Sequence, residues 1–532
     1  MSPDARIALN VAATYGRNLY ALAVGLFTAR WALAALGQVD YGLMGVVGGL
    51  AGFIAFLNHV MAAAVGRFYA VNVGKESVAE DKASALEETR AWFTAAVAVH
   101  TVLPIVLMAA GYPLGLWAIR HFLEIPPGRL GACEWVFRSV CASTFVSMVG
   151  VPVQALYTAK QWIAELTVYS LATTTLNALF VHHMVAHPGV WLAKYAVWTC
   201  LLAIAPQTII AVRGLWLFPE CRLRWHGREI ARRLGELGRY AGWLVFGMLG
   251  GLLRGEGIQI LLNKYCGPRA NAAMKVANDV NAQTQTLSMA MVGAFQPAIV
   301  TAWGAGNPDR MRALAYRACK FSMLFVLVFT LPLGLELREV LRLWLQHPPA
   351  HAYGLCLCLF AATVVDQSSV GHMMAVNARG KIATYQAFLG GSLLLALPLA
   401  WLFLAMGLGI PWTGGALLAT TLACAWGRVG FARGLVGMSV RHWLLRILLP
   451  VAGVAAAALA AGCLPRLWME PSFARVGATT GVCVSVFAGL SWGMLFDGEE
   501  RTHMLAIIRG GWRRMHAVNG HPGKNGNGER GG

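Results

Sequence analysis

Apolar stretches of about 20 residues recur from the start of the chain almost to its end, each long enough to cross a ~30 Å hydrocarbon layer. They fall at 10–34, 41–66, 92–119, 135–157, 162–186, 191–213, 240–263, 275–301, 317–335, 353–376, 383–406, 412–432, 443–463 and 475–496, which predicts about fourteen membrane-spanning helices. None shows the alternation over about ten residues that marks a strand of a transmembrane barrel. The first stretch is long enough to stay as a helix and lacks a small-residue cleavage site, so no signal peptide is expected.

Composition agrees with this pattern. Of 532 residues 57% are hydrophobic and 13% charged, about half the charged share of a soluble domain. The charge is lopsided, with 43 Lys+Arg against 24 Asp+Glu and a net +19. The connections alternate in character: 73–91, 214–239, 302–316 and 433–446 are rich in charge, whereas 407–411 has none. Assigning each charge to a face puts roughly 28 Lys/Arg with both termini and roughly 12 on the other side, which makes the basic face cytoplasmic. Most of the surplus therefore follows from topology. Nucleic-acid binding is not expected, because the arginines are strung along membrane edges with no soluble domain to present them. The eleven Cys lack a CxxC pair, and His183/His187 and His347/His351 lack a third ligand, so no metal site is expected.

The basic connection 214–239 divides the first twelve spans into two sixes. The expected organisation is a six-helix bundle at 1–213, a linker at 214–239, a second bundle at 240–436, an extra helix pair at 437–496 and a cytoplasmic tail at 497–532. That tail ends in a Gly/Asn-rich disordered stretch. Spans one and seven run in the same direction, as in transporters whose halves are related by an axis along the membrane normal. Within the linker, Ile230, Leu234 and Leu237 share one helical side and Arg228, Arg232 and Arg239 the other, the pattern of an interfacial helix on anionic lipid.

Tyr20–Gly49, then Phe56-Leu57-Asn58 and Arg67-Phe68, resemble the start of the bacterial polysaccharide-biosynthesis flippases. So do Phe295–Val300 with Gly306-Asn307, Lys320-Phe321-Ser322, Leu341–Leu345, Met373-Met374 with Asn377–Ile382, Tyr385-Gln386 and Leu397-Pro398. The resemblance implies the oligosaccharide-flippase branch of the multidrug/oligosaccharidyl-lipid/polysaccharide exporter superfamily, in a bacterial inner membrane. It implies an all-α fold with two six-helix bundles around a central cavity. It further implies carriage of undecaprenyl-diphosphate-linked sugars to the outer leaflet for surface polysaccharide synthesis. Polymerase or glycosyltransferase partners are implied with it.

Charges inside spans are the sharpest clue to chemistry, since each costs at least ~2.5–3.5 kcal/mol at the bilayer centre and must face protein or water. Asn10, Thr14 and Arg17 share one stripe of the first span. Arg67 lies near the end of the second, Arg254 and Glu256 in the seventh, and Lys275, Asn278, Asp279 and Gln285 open the eighth. A diphosphate needs cationic partners, and arginine offers a planar fork of donors that stays ionised. Arg17, Arg67, Arg254 and Lys275 are therefore the candidate cavity cations. For Arg67 and Lys275 the alternative is snorkelling to headgroups, and for Arg17 and Arg254 a structural ion pair, for instance Arg254 with Asp279. Asp366, in the tenth span, and Glu256 are candidates for H⁺ or Na⁺ coupling or for counter-ions, and no other cofactor is expected. A cation-coupled drug antiporter of the same superfamily is the alternative. A sugar polymerase or ligase is less expected, because the longest outer loops offer only Glu124 and Glu134, or Glu336 and Glu339.

Overall fold

In lipid, a segment with a free edge can satisfy its backbone only as a helix, and the described chain is helical with no strand. The computed structural model describes residues 3–78, 82–160, 162–224, 230–236, 249–379, 383–498 and 500–502, leaving aside several side chains within them, those of 3–15, Arg67 and 286–294 included. The principal helices are α1 (Pro3–Val78), α2 (Lys82–Trp117), α3 (Leu130–Ala159), α4 (Ile163–Ala186), α5 (Leu192–Leu217), α6 (Ile258–Cys266), α7 (Pro268–Gly304) and α8 (Pro308–Leu345). They continue with α9 (Ala352–Ser368), α10 (Val370–Arg379), α11 (Ala383–Leu394), α12 (Ala396–Ala405), α13 (Pro411–Val436), α14 (Leu449–Trp468) and α15 (Phe473–Leu490).

Helix α1 is two helices joined at Gly37, whose φ of 73° suits a residue without a Cβ and falls in the predicted connection 35–40. Helix α8 starts where Asn307 accepts from the Arg310 amide at 3.0 Å, with Pro308 at its first position. Among the described residues nine helices are long and apolar enough to cross a membrane, or ten if the α9–α10 pair, bent by 45°, is one span. The expected fourteen exceed this. The remaining four are the second limb of α1, α4, the partly described stretch 240–263, and α7, whose opening turns carry Lys275, Asn278, Asp279 and Asn281.

The apolar cores are arranged unequally along the membrane normal. At the end away from the basic face, one continuous cluster joins Leu43, Val46 and Val47 of α1 and Phe137 of α3 to Leu262, Ala273, Leu341 and Leu355 of the second half. At the basic end, Val65, Phe93, Leu156 and Tyr157 form one cluster and Ile299, Met311, Met374 and Tyr385 another. The halves are thus packed together at one end and hold separate cores at the other, among the described residues. At the joined end the fit is close: a Cβ on Gly42 of α1 would collide with the Pro268 carbonyl oxygen at the start of α7.

The last helices are fastened to α8 at both its ends. At one, Glu336 is fully buried and accepts from Arg475 at 2.8 Å and Thr479 at 2.9 Å, with Arg466 at 3.8 Å. At the other, Lys320 donates to Glu500 at 2.5 Å and to the Leu495 carbonyl at 3.1 Å. Between these, Val451, Val454 and Ala458 of α14 and Phe487 of α15 pack on Leu324 and Leu327. In the linker, Ile230 is buried and Arg232 exposed, while Arg233 is also buried, over the Trp92 ring at 4.8 Å. Leu237, Arg228 and Arg239 lie outside the described residues.

Glu336→Ala would strand two arginines beside an apolar contact, and breaking one partner of a buried pair costs about 3–5 kcal/mol. Thermal unfolding of the purified protein should register this loss. Limited proteolysis of the 469–472 turn should quicken with it, and unchanged digestion would contradict the fastening.

Candidate functional site

The seventh span contains a π-helical turn at Leu253–Gly257. The extra residue in such a turn shifts the register of side chains, and π-turns concentrate at functional positions. Here it separates two charges that lie only two residues apart. Arg254 points into the second half, donating to the Thr421 hydroxyl at 2.8 Å and the Leu417 carbonyl at 3.2 Å, both on α13. Glu256 faces the other way, packed over Gly49 and Gly52 of α1. It accepts from Gln259 at 3.1 Å and has no cation within 4 Å among the described residues.

Arg254 lines a cavity of about 360 Å³ with Asn278, Asn281 and Gln285 of α7 and Thr363 and Asp366 of α9. The Thr363 hydroxyl donates to Asn281 at 2.9 Å. Asp366 is paired with Arg428 of α13 at 2.7 Å. Arg428 is only 8% exposed and also reaches the Asp366 carbonyl and the Ser369 hydroxyl, each at 3.3 Å. These contacts sit where α9 breaks into α10. A break frees backbone carbonyls that lipid cannot satisfy. The Asp366 carbonyl is taken by Arg428 and by the Ser369 hydroxyl, and the Ser368 carbonyl by the Trp443 indole at 2.8 Å.

A separate cavity of about 350 Å³ lies between the halves at their joined end, lined by Thr28, Tyr41, Tyr195, Lys275, Asp279 and Trp344. Tyr41 donates to Asp279 at 2.7 Å, and Lys275 stands 3.5 Å from the same oxygen and 4.9 Å over the Tyr41 ring. Nearby, Asn263 accepts from the Glu124 amide at 2.8 Å, Lys264 donates to the Glu124 carboxylate at 3.0 Å, and Trp344 donates to the Leu26 carbonyl at 2.6 Å.

The four candidate cations are therefore not gathered in one place. Arg254 and Lys275 line different cavities, and Arg17, half-buried, donates to Asn18 at 3.1 and 3.3 Å. The side chains of Arg67, Asn10 and Thr14 lie outside the described residues. Asn278 and Gln285 do line the Arg254 cavity. Asp279 is not the partner of Arg254, as the sequence suggested it could be, because it is held by Tyr41 and Lys275. Sequence reasoning passed over Arg428, which sits a turn inside the end of its span, where an arginine reads as interfacial. The unpaired-looking Asp366 was the signal that a buried cation had to exist.

Asp366→Asn leaves the buried Arg428 with neutral acceptors only and should lower stability by about 3 kcal/mol. The double variant Asp366→Leu/Arg428→Met should recover most of that loss. Chemical unfolding of the four-member cycle checks this, and additive effects would exclude the pair as a unit.

Residues 244–402 match the MatE family model. No curated protein matches the chain in sequence. Among solved structures the chain is similar to the lipid II flippase MurJ in an inward closed conformation, at 10% identity and a TM-score of 0.64 over 91% of this chain and 98% of that one. It is also similar to a multidrug resistance MATE family transporter in an inward-facing conformation (15% identity, TM-score 0.52, 79% and 94% covered). The MATE multidrug transporter DinF-BH in complex with R6G is a third (13%, 0.53, 80% and 96%). Identities this low speak for the fold. Residues 244–402 thus carry a MatE match, and the chain as a whole shares its fold with the MurJ flippase and the MATE transporters.

Proposed function

We propose that the chain is a membrane transporter of the multidrug/oligosaccharidyl-lipid/polysaccharide exporter superfamily that flips a polyprenyl-diphosphate-linked oligosaccharide from the cytoplasmic to the outer leaflet of the bacterial inner membrane, for surface polysaccharide assembly. The observation that carries the reading is the bonding of Arg254. Its guanidinium engages neutral acceptors only, Thr421 and the Leu417 carbonyl, while the one acid of the cavity is committed to Arg428. The cavity thus keeps a net positive charge, suited to diphosphate oxygens, and its Asn, Gln and Thr lining suits sugar hydroxyls. Arg17, bonded to a neutral asparagine, is the second cation offered to the headgroup.

The packing supports alternating access. The end with the shared core is the closed gate, latched by Tyr41–Asp279 and Trp344–Leu26, and the end with separate cores is the one that opens to the cytoplasm.

One observation favours a second reading, a cation-coupled drug antiporter. Among the described residues Glu256 is a carboxyl without a cationic partner, packed against α1, a group able to bind H⁺ or Na⁺. The same residue could couple glycolipid export to an ion gradient.

Reconstituted vesicles separate the two. A fluorescent polyprenyl-diphosphate disaccharide should be flipped, with Arg254→Ala slowing it at least tenfold, the loss of about one to two charge-assisted bonds. A lipophilic cationic dye should not move. Dye transport abolished by Glu256→Gln, with no glycolipid flipping, would establish the antiporter instead.

A further inference from the structure

A third cavity, of about 800 Å³, lies apart from both sites, at the basic end, where α8 begins, the turn after α13 folds back and the chain leaves α15. Its lining divides by chemistry. Cations come from Arg312, Arg317, Lys320 and Arg446, and apolar surface from Leu445 and Met494. The acids present are already engaged. Asp309 holds Arg312 at 2.5 Å, and Glu500, 5% exposed, holds Lys320 at 2.5 Å and Arg317 at 3.6 Å. Asp497 stands 3.9 Å from Arg317. Among the described residues Arg446 has no acid within 4 Å, and of the cavity's four cations it is the one without an acid partner among them.

Its setting says what anion would fit. Arg446 sits on a π-helical turn, Leu444–Leu448, that enters α14. Leu444, Leu445, Leu449 and Met494 are all exposed, and on helices that span the membrane such side chains face lipid. The cavity therefore joins an exposed cation, Arg446, to an apolar lip continuous with the lipid-facing surface. A soluble phosphate would use the first and waste the second. The chain's own tail is excluded by sign: residues 503–532 carry Arg509, Arg513, Arg514, Lys524 and Arg530 against Glu529.

We propose that this cavity binds the headgroup of one anionic phospholipid, its phosphate on Arg446 with Arg317 beside it and an acyl chain along Leu445 and Met494. His442, tilted against Tyr316 with ring centroids 4.6 Å apart, adds a donor at the rim. The lipid bridges α8, the entry to α14 and the exit from α15, at the end where Lys320 and Glu500 already join two of them. The assignment stands apart from the transport reading, since none of these residues lines the Arg254 cavity.

The test uses the full-length protein, delipidated in neutral detergent, with mixed micelles of phosphatidylglycerol, of phosphatidylcholine, or with millimolar inorganic phosphate. Native mass spectrometry should show one phosphatidylglycerol retained per chain in preference to phosphatidylcholine, and the same lipid should raise the unfolding temperature. Arg446→Gln, an exposed substitution expected to unfold like the parent without lipid, should weaken retention about fivefold, the worth of one arginine at an anionic headgroup. Arg433→Gln, exposed near the same face but outside the cavity, should leave it unchanged. Equal retention of phosphatidylcholine would overturn the site. An equal loss in Arg433→Gln would reduce it to general surface attraction and overturn it too. Phosphate alone reproducing the full stabilisation would mean a soluble-anion site, which also rejects the lipid.

Discussion

A charge inside a bilayer must be neutralised or solvated by protein, and in this chain that requirement converges on Asp366 and Arg428. Their pair sits on the interruption between α9 and α10, so it neutralises two charges and caps a broken backbone at once. Removing either group would leave the other's charge unpaired at the break. The indole of Trp443 takes the next free carbonyl, which ties the entry to α14 to the same break. The polar lining around Arg254 is possible because the acid beside it is already occupied.

The unequal cores connect packing to motion. A continuous apolar cluster across the halves resists separation, and its polar contacts are few and specific: a tyrosine on Asp279, an indole on the Leu26 carbonyl. Hydrogen bonds of this kind contribute about 1 kcal/mol each. They are small beside the shared apolar cluster, whose loss would cost far more. Under the proposed transport reading, the separate cores at the basic end are the parts held together least.

Much of the fold was legible from hydropathy, because twenty-residue apolar runs have one structural meaning in lipid. The predicted connection at 35–40 contains the Gly37 turn, and the polar opening of α7 does line cavities. What could not be read was partnership. Arg254 and Glu256 diverge because a π-turn intervenes, and no residue in that stretch announces one. Lys275 and Asp279, one turn apart, meet a tyrosine from more than two hundred residues earlier. In the linker, helical spacing placed Arg232 correctly on the exposed side, but Arg233, one residue on, is buried because Trp92 lies there to receive it. Glu336 looked like an outer-loop acid and is instead enclosed by the last two helices.

The order in which these partners occur along the chain has a consequence for synthesis. Tyr41 is made long before Asp279, so when the polar helix α7 enters the bilayer a hydrogen-bond donor already waits for it. Asp366 has the reverse history, since α9 is threaded before Arg428 has been translated. During that interval the acid is without its arginine, and the break in the second half is held only by short-range contacts such as the Ser369 hydroxyl on the Asp366 carbonyl. Assembly of the second half is thus committed only when α13 arrives, and the most vulnerable nascent chain is the one that ends just short of it.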